Sequence, residues 1–155
     1  MWPLLILGGV VTYLVAKNNS STKKHKKKRI FISFAIEDKL YRDYLKEQSR
    51  EEKSPFNFID MSVKKEWEQK VWKDKCRTRI KSCDGVITLL SKNTHKASGA
   101  RWEMKCAIEE RKPIIGMHIK KNDKGAIPPE LSNTKIIEWN WENLEKFINN
   151  QSCPK

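Results

Sequence analysis

Short apolar runs alternate with longer segments of helical spacing along most of this chain. The runs predict β-strands at residues 29–34, 56–59, 86–90, 113–119 and 135–139. After the first, second, third and fifth runs, apolar residues recur every three or four positions and predict helices. The residues expected on the inward helix faces are, in chain order, Leu40, Tyr41, Tyr44 and Leu45; Trp72, Cys76, Ile80 and Cys83; Ala100, Met104, Ala107 and Ile108; and Trp141, Leu144, Phe147 and Ile148. This alternation predicts an α/β fold, a flavodoxin-like, doubly wound sheet of five parallel strands with helices on both faces.

The polar loop and helix between the third and fourth predicted strands form the best candidate for a functional segment, at residues 91–111. Ser98 is the expected N-cap of this helix. The loop follows the carboxyl end of a parallel strand, where open α/β sheets bind their ligands. Glu103 shares a helix face with Ala100 and Ala107, so its carboxylate is expected to point partly inward. From spacing alone, the simpler interpretation is that this first-turn acid complements the helix dipole.

Residues 2–16 carry no charge and precede a strongly basic segment. As a helix they would span about 22 Å, less than the roughly 30 Å of a bilayer core, and snorkelling by Lys17 with local thinning would cover the difference. No basic stretch precedes them, which disfavours a cleaved signal peptide. The positive-inside rule then predicts a single-pass anchor in the cell membrane, with the domain at residues 29–150 in the cytoplasm.

The high net charge belongs mainly to the linker at residues 17–28 and the first residue after it. The whole chain carries a formal charge of +13, and it falls to +6 once the seven basic residues between 17 and 29 are set aside. No aromatic residue is interleaved with the basic run, so binding to nucleic acid is not predicted. Attraction to anionic lipid is the preferred interpretation of the linker.

Several families of α/β proteins are excluded by missing motifs. The six glycines form neither a Walker A loop nor a dinucleotide-binding G-x-G-x-x-G. Leu90 and Ser91 stand where a response regulator requires an aspartate. The four cysteines lack C-x-x-C spacing and do not group with histidines, so no metal site is predicted, and Cys106 is interpreted as a core residue.

Two stretches resemble the TIR domain family. Residues 29–38 (RIFISFAIED) are similar to the opening strand and loop of a TIR domain. Residues 89–94 (LLSKNT) and 97–104 (ASGARWEM) resemble the strand, serine-bearing loop and catalytic helix of that family. The resemblance covers residues 29–150 and is strongest to bacterial TIR-like proteins of the Thoeris anti-phage defence system. It implies the TIR version of the predicted fold.

This resemblance implies cleavage of the bond between nicotinamide and ribose in NAD, with the carboxylate of Glu103 as the catalytic group. The family's glutamate usually lies four residues after a tryptophan; here that position is Gly99, and Trp102 directly precedes the acid. NAD is implied as a substrate, with no separate cofactor. The resemblance implies a substrate-binding set of Phe34, Ala35, Asp38, Asp60, Ser91, Thr94 and Trp102. Core packing fits Phe34 as well, and strand-end capping fits Ser91 and Thr94.

The implied product is ADP-ribose or a cyclic isomer of it, which would activate a partner effector protein during phage infection. The resemblance also implies self-association, with the loop at residues 60–65 as a head-to-tail contact. Two other classes stay open from the sequence. One is a non-catalytic TIR adaptor that assembles at the membrane, and the other is a nucleoside-processing glycosidase with a related sheet.

Overall fold

The computed structural model describes residues 27–50, 56–59 and 69–150. Within them, five parallel strands form one sheet in the order β2-β1-β3-β4-β5. The strands are β1 (Lys28–Ser33), β2 (Phe56–Ile59), β3 (Gly85–Leu90), β4 (Ile114–His118) and β5 (Ile136–Glu138), and the helices are α1 (Lys39–Arg50), α2 (Gln69–Ser82), α3 (Ser98–Glu109) and α4 (Trp141–Asn149). Short 3₁₀ turns occur at Ile36–Asp38, Thr94–Lys96 and Pro129–Leu131. The predicted five-stranded parallel α/β architecture is confirmed.

The sheet is covered on both faces, which explains why its central strands read as continuous apolar runs. All six residues of β3 are buried. On one face, Ile30 and Ile32 pack in a core with Leu45 of α1 and Leu144 of α4. On the other face, Phe31 packs with residues of α2 and α3, which are Cys76, Ile80, Cys106 and Ala107. Alternate residues of β1 therefore serve opposite cores, as the two-residue period of a strand requires.

The inward faces of three helices differ in part from the prediction. Leu40, Tyr44, Ile108 and Trp141 are exposed large apolar residues. In α1 the buried side chains are Arg42, Leu45 and Ser49. Arg42 takes an inward position because its guanidinium stacks over the Phe34 ring, 5.3 Å from the ring centroid, while its aliphatic stem is buried. Leu45 is buried and Tyr41 packs against the same core, so the predicted face of α1 is confirmed for these two residues and wrong for Leu40 and Tyr44.

Two further details of the helix ends are corrected. Ser98 is the first residue of α3 and not its N-cap; the cap is Ala97, which makes no side-chain hydrogen bond. Cys83 lies just beyond the end of α2, where its thiol donates to the carbonyl oxygen of Ile80. Both positions differ by one residue from the prediction, as is common at helix ends.

The predicted anchor at residues 2–16 and nearly all of the linker at residues 17–28 lie outside the described residues. In the described parts of the chain, no helix has the length and apolar character needed to cross a bilayer.

The described cysteines are buried and free, and their ionisation predicts a loss of stability at alkaline pH. Burial raises the pKa of Cys76 and Cys83, and it raises the pKa of Cys106 from 9.0 to about 11. A buried thiol has a higher pKa in the folded chain than in the unfolded chain. Folding stability is therefore unaffected by pH below the unfolded pKa and falls as the pH rises above it, until the folded thiol also ionises. The contribution of Cys106 is therefore expected to be lost between pH 9.0 and about 11. Urea titrations across this window should show the decline, and Cys106→Ala should make it shallower; an unchanged slope would contradict the assignment.

Candidate functional site

A pocket of about 360 Å³ lies between the carboxyl end of β1 and the amino end of α3. This is the edge of a parallel sheet at which ligands bind in open α/β folds. Part of its wall comes from the segment that follows β1, and part from the first turns of α3. The lining residues are Phe34, Ala35, Ile36, Glu37, Trp72, Lys96, Ala97, Ser98, Gly99, Ala100 and Glu103.

Glu103 is the one carboxylate that α3 contributes to this pocket. It lies three residues after Ala100 and four before Ala107, on the face of α3 that packs toward the sheet, and only 7% of its surface is exposed. Its negative charge also acts on α2: after burial, the Glu103 carboxylate is the largest cause of the raised pKa of Cys76. The acid therefore stands between the pocket and the interface of α2 with α3, in surroundings where its charge is poorly screened.

Contacts from two different parts of the chain fix the helix that carries Glu103. The Ser33 hydroxyl at the end of β1 donates to the Ala100 carbonyl oxygen at 3.3 Å. The Arg101 guanidinium donates to both oxygens of the Glu130 carboxylate. Nη2 donates to Oε1 at 2.9 Å, and Nε donates to Oε2 at 3.0 Å. Bidentate guanidinium–carboxylate pairs fix orientation as well as distance. The first turns of α3 are thereby held to β1 and to the loop before β5.

Trp72 of α2 supplies an aromatic wall of the pocket. A Cβ atom placed on Gly99 would lie 3.8 Å from Cη2 of Trp72, so the indole covers the glycine at ordinary contact distance. Trp102 packs against Trp72, with ring centroids 5.4 Å apart and planes tilted by 58°. The Arg77 guanidinium and the Lys73 ammonium lie over the Trp102 ring at 5.6 Å and 5.8 Å. Trp102 is thus occupied in the contact between α2 and α3.

Beside the pocket, a buried network of polar side chains ties the loop after β3 to the turn after β1. The Ser91 hydroxyl donates to Asp38 Oδ2 at 2.6 Å, and Asn93 Nδ2 donates to Asp38 Oδ1 at 3.1 Å. The Thr94 hydroxyl accepts from the Ser91 backbone N–H at 2.9 Å and donates to the Leu89 carbonyl oxygen at 3.1 Å. The Thr94 bonds are those of a strand-end cap. The network satisfies these buried groups with one another, as buried polar groups require.

A family model for the Thoeris protein ThsB, TIR-like domain, matches residues 31–124, which is more than half of the chain. The matched range includes the second half of β1, all of α3 and the pocket between them. This chain belongs to the Thoeris ThsB TIR-like domain family. No curated protein matches it by sequence.

Solved structures show the same fold in distant proteins. The TIR domain of the Toll-related receptor TRR-2 from Hydra magnipapillata is 14% identical, with a TM-score of 0.59, and the match covers 78% of this chain and 98% of that one. A 2-desoxiribosyltransferase from Leishmania mexicana is 13% identical, with a TM-score of 0.54, and the match covers 79% of this chain and 98% of that one. At these identities the likeness concerns the fold alone.

In this ThsB TIR-like domain, three of the residues predicted from the sequence meet at the pocket: Phe34, Ala35 and Glu103. The predicted residues Asp38, Ser91, Thr94 and Trp102 are not among its lining residues. Asp60 and the rest of the loop at residues 60–65 lie outside the described residues.

Sequence reasoning missed the contributions of Glu37, Trp72 and Lys96 to the pocket. Helical spacing predicts Trp72 as a core residue, and only the packing of α2 against α3 brings it beside Gly99. In the sequence, the one available signal is Gly99, a small residue four positions before Glu103, where the family resemblance implies a tryptophan. A metal site is not evident either, since the described His, Cys, Asp and Glu side chains form no group of three suited to an ion.

Gly125 holds the loop before β5 against the network beside the pocket, and we expect Gly125→Ala to destabilise the fold. Its φ of +65° is disfavoured for other residues, and a Cβ atom would lie 2.6 Å from both the Lys92 Cα and the Ser91 carbonyl oxygen. The left-handed conformation alone costs roughly 1–2 kcal/mol, and the backbone contact adds to it. Urea denaturation measures the loss. Gly99→Ala is the matched control, because its Cβ meets only ordinary contacts inside α3; equal losses in both variants would refute the argument.

Proposed function

We propose that this chain is an NAD-cleaving enzyme of anti-phage defence, which releases nicotinamide and forms an ADP-ribose-type signal. The observation that carries the proposal is the buried Glu103 carboxylate in a pocket with two aromatic side chains, Phe34 and Trp72, at the ligand-binding edge of the sheet. Membership of the Thoeris ThsB family supports the same reaction class.

Cleavage of the bond between nicotinamide and ribose needs one well-placed negative charge from the protein. When the bond between the ribose C1′ and the nicotinamide nitrogen breaks, nicotinamide leaves as a neutral molecule with the bonding electrons, and C1′ becomes oxocarbenium-like. Glu103 would oppose this positive charge and hydrogen-bond the ribose hydroxyls. A fixed charge in poorly hydrated surroundings stabilises such a transition state far better than the same charge in water. The contacts that hold α3 would keep the carboxylate in place during the reaction.

The rest of the pocket fits a dinucleotide. Trp72 and Phe34 offer flat apolar surfaces for a ring, and Lys96 is exposed at the pocket without an acidic partner among the described residues. An ammonium group there would suit the pyrophosphate. Attack on C1′ by water, with loss of a proton, would give ADP-ribose; attack by another atom of the ADP-ribosyl group, also with loss of a proton, would give a cyclic isomer.

The proposal extends to the place and purpose of the reaction. Residues 2–16 would anchor the protein in the cell membrane by one span, with the enzyme domain on the cytoplasmic side, and the basic linker would lie against anionic lipid. The nucleotide product would then diffuse to a partner effector protein and activate it. Self-association through TIR surfaces would regulate the enzyme. These steps rest on the sequence of the N-terminal segment and on family membership.

The alternative is a non-catalytic adaptor that acts by homotypic assembly at the membrane. Its specific support is the exposed apolar surface of α1, at Leu40 and Tyr44, which an enzyme pocket does not require. A nucleoside-processing glycosidase is the third class, and a 2-desoxiribosyltransferase has a similar fold. All three classes are separated by the substrate that is consumed.

The test incubates the purified full-length chain with NAD, and in parallel with a 2′-deoxynucleoside and a free base, and separates the products by chromatography. Release of nicotinamide from NAD alone supports the proposal, and the second product distinguishes hydrolysis from cyclisation. Turnover of the deoxynucleoside instead would favour the glycosidase. If NAD is not consumed, the same measurement on extracts of phage-infected cells supplies any missing trigger; protection of the cells without NAD loss would overturn the enzyme in favour of the adaptor.

A further inference from the structure

A second groove, larger than the candidate pocket, lies at the opposite edge of the sheet. It occupies about 720 Å³ where β4 and β5 begin, beside the end of α3 and the last turns of α4. Its apolar lining includes Pro113, Ile114 and Phe147. The charged residues of its lining are all cations: Arg111, Lys112, Lys135 and Lys146. The groove is therefore suited to a ligand that joins an apolar part to a negative charge.

Three of these four cations make no ion pair with a carboxylate of the described residues. Arg111 and Lys135 are exposed. Lys112 donates to a backbone carbonyl oxygen at 2.9 Å, which leaves its charge in place. Lys146 differs from them, because it pairs with Glu142 at 2.7 Å. The groove thus presents a net positive charge to a ligand.

The acids at the end of α3 do not cancel this charge. Glu109 and Glu110 directly precede Arg111, and both bind Arg77 of α2, at 2.8 Å and 2.6 Å. The Lys105 ammonium also lies 3.9 Å from Glu109. Two cations outside the groove therefore face these two acids, and Arg111 stays available to a ligand.

The backbone of Arg111 has a conformation that normally selects glycine. Its φ is 55°, and no other described residue except glycine has a positive φ. The Arg111 N–H donates to the Ile108 carbonyl oxygen, and the Lys112 N–H donates to the Ala107 carbonyl oxygen. In a helix ending with these two bonds, the residue in the left-handed conformation is usually glycine. A large side chain at such a position indicates a function for the side chain itself.

The dipole of α3 explains only part of this cationic lining. A positive charge is favourable at the carboxyl end of a helix, so Arg111 and Lys112 both complement α3. Lys112 would do so without any disfavoured backbone conformation. Lys135 has no such role, because it immediately precedes β5 and does not follow an α-helix. What these three cations share is their position around the groove.

The N-terminal part of the chain enters the domain at this same edge. The sheet is parallel, so β1 begins at the edge where β4 and β5 begin. Lys28 and Arg29 at the start of β1, and the exposed Lys81 at the end of α2, add positive charge against Asp84 before β3. The positive surface therefore extends from the groove toward the linker.

The proposed anchor would hold this edge close to the membrane. Residues 17–26 separate the apolar segment at residues 2–16 from the first described residue. Whatever their conformation, these residues reach at most about 35 Å. Such a tether gives a membrane surface a high effective concentration beside the groove.

We propose, on the basis of the membrane anchor proposed above, that the amino edge of the sheet docks on the anionic surface of the same membrane. Arg111, Lys112 and Lys135 bind the phosphates of anionic phospholipids, and the apolar part of the groove takes the start of an acyl chain. The candidate pocket lies at the opposite edge of the sheet. Docking therefore turns the pocket toward the cytoplasm, where its substrate is dissolved.

The test places the full-length chain in vesicles of phosphatidylcholine alone, or of an equal mixture with phosphatidylglycerol. A fluorescent dye is attached at Asn149→Cys, at the end of α4, or at Asn122→Cys, in the loop after β4. Cys153→Ser leaves one accessible cysteine, because the described cysteines are buried. Lipids with a quencher on the headgroup should dim the dye at residue 149 in the anionic vesicles only. The dye at residue 122 should stay bright in both.

Arg111→Gly and Lys135→Gln should each lower the ratio of docked to undocked domain about fivefold. This change corresponds to the roughly 1 kcal/mol that a basic residue contributes near an anionic surface. Arg111→Gly also separates docking from a structural role of the arginine. Glycine adopts a positive φ readily, so this variant should unfold at the same or a higher urea concentration than the parent. A lower urea midpoint would overturn the role given to Arg111.

The matched control is Lys121→Gln, which removes the same charge from an exposed position after β4, at the opposite edge. It should dock as the parent does. The proposal is overturned if quenching at residue 149 does not depend on phosphatidylglycerol. It is also overturned if both groove variants dock normally, or if Lys121→Gln weakens docking equally.

Failure of the anchor is measured separately, by extraction of the same vesicles with alkaline carbonate. A chain that resists extraction but shows no quenching at residue 149 overturns the docking and leaves the anchor intact. A chain that is extracted overturns the anchor. Flotation with anionic vesicles then decides the docking: a loss in Arg111→Gly and Lys135→Gln supports it, and parental flotation overturns it. None of these measurements uses NAD, so they are independent of the catalytic role of Glu103.

Discussion

Glu103→Gln should reduce nicotinamide release by about 100- to 1,000-fold, the loss usually seen when one preorganised electrostatic group is removed from an active site. Glutamine has nearly the same size, so the pocket should keep its shape while its fixed negative charge is lost. A charge that acts mainly on the developing oxocarbenium ion lowers kcat and kcat/KM together, and leaves KM little changed. Steady-state kinetics with NAD separates this result from a simple defect in binding.

The matched control for this variant is Glu145→Gln, which makes the same substitution at an exposed position of α4. It should retain parental turnover. Urea denaturation of both variants checks that neither has lost its fold. Parental activity in Glu103→Gln would rule out the catalytic role of this acid. The dipole interpretation would not replace it, because Glu103 is the sixth residue of α3 and lies beyond the first turn, contrary to the prediction from spacing.

Phe31→Ala should destabilise the domain by roughly 3–5 kcal/mol, the usual cost of removing a buried phenylalanine ring. Phe31 lies on β1, the strand between β2 and β3, and it is fully buried against α2 and α3. This loss is a large fraction of the free energy of unfolding of a typical domain, which is about 5–15 kcal/mol. The free energy of unfolding from urea titration measures it directly.

Ile127→Ala provides the comparison, because Ile127 is 39% exposed in the loop before β5. Its effect should stay within about 0.5 kcal/mol, as for most surface substitutions. A small loss in Phe31→Ala, with a normal slope of the transition, would mean that the core on this face of the sheet can collapse around the missing ring.

The way α3 is held explains how a single acid can serve as a site in so small a domain. Ser33 and Glu130 reach the first turn of α3 from different parts of the chain, and the stacked Trp72 and Trp102 rings hold it to α2. At the far end, Arg77 of α2 pairs with Glu109 and Glu110 at 2.8 Å and 2.6 Å. Both ends of the helix are therefore fixed, and the carboxylate between them loses little freedom when a substrate binds.

The sequence by itself determined the local elements of this protein. Apolar runs located all five strands, because a buried parallel strand needs apolar residues on both faces. Helical spacing located α3 and placed Glu103 on its inward side, since a period of 3.6 residues decides which positions share a face. The family could also be named from short motifs around β1 and α3, because they combine a strand end with the residues that follow it.

Only the tertiary structure decided which side chains meet. The bond between Ser91 and Asp38 joins residues 53 positions apart, and the contact of Trp72 with Gly99 depends on how α2 packs against α3. Likewise, only the packing of α1 showed that Arg42 is buried over the Phe34 ring while Leu40 and Tyr44 are exposed. The periodicity of apolar residues indicates which face of its own helix or strand a residue occupies. These pairings depend instead on the relative positions of two elements. For that reason the sequence did not predict that Trp72, and not Trp102, lines the pocket. It also did not predict that Asp38, Ser91 and Thr94 form a hydrogen-bond network beside the pocket instead of lining it.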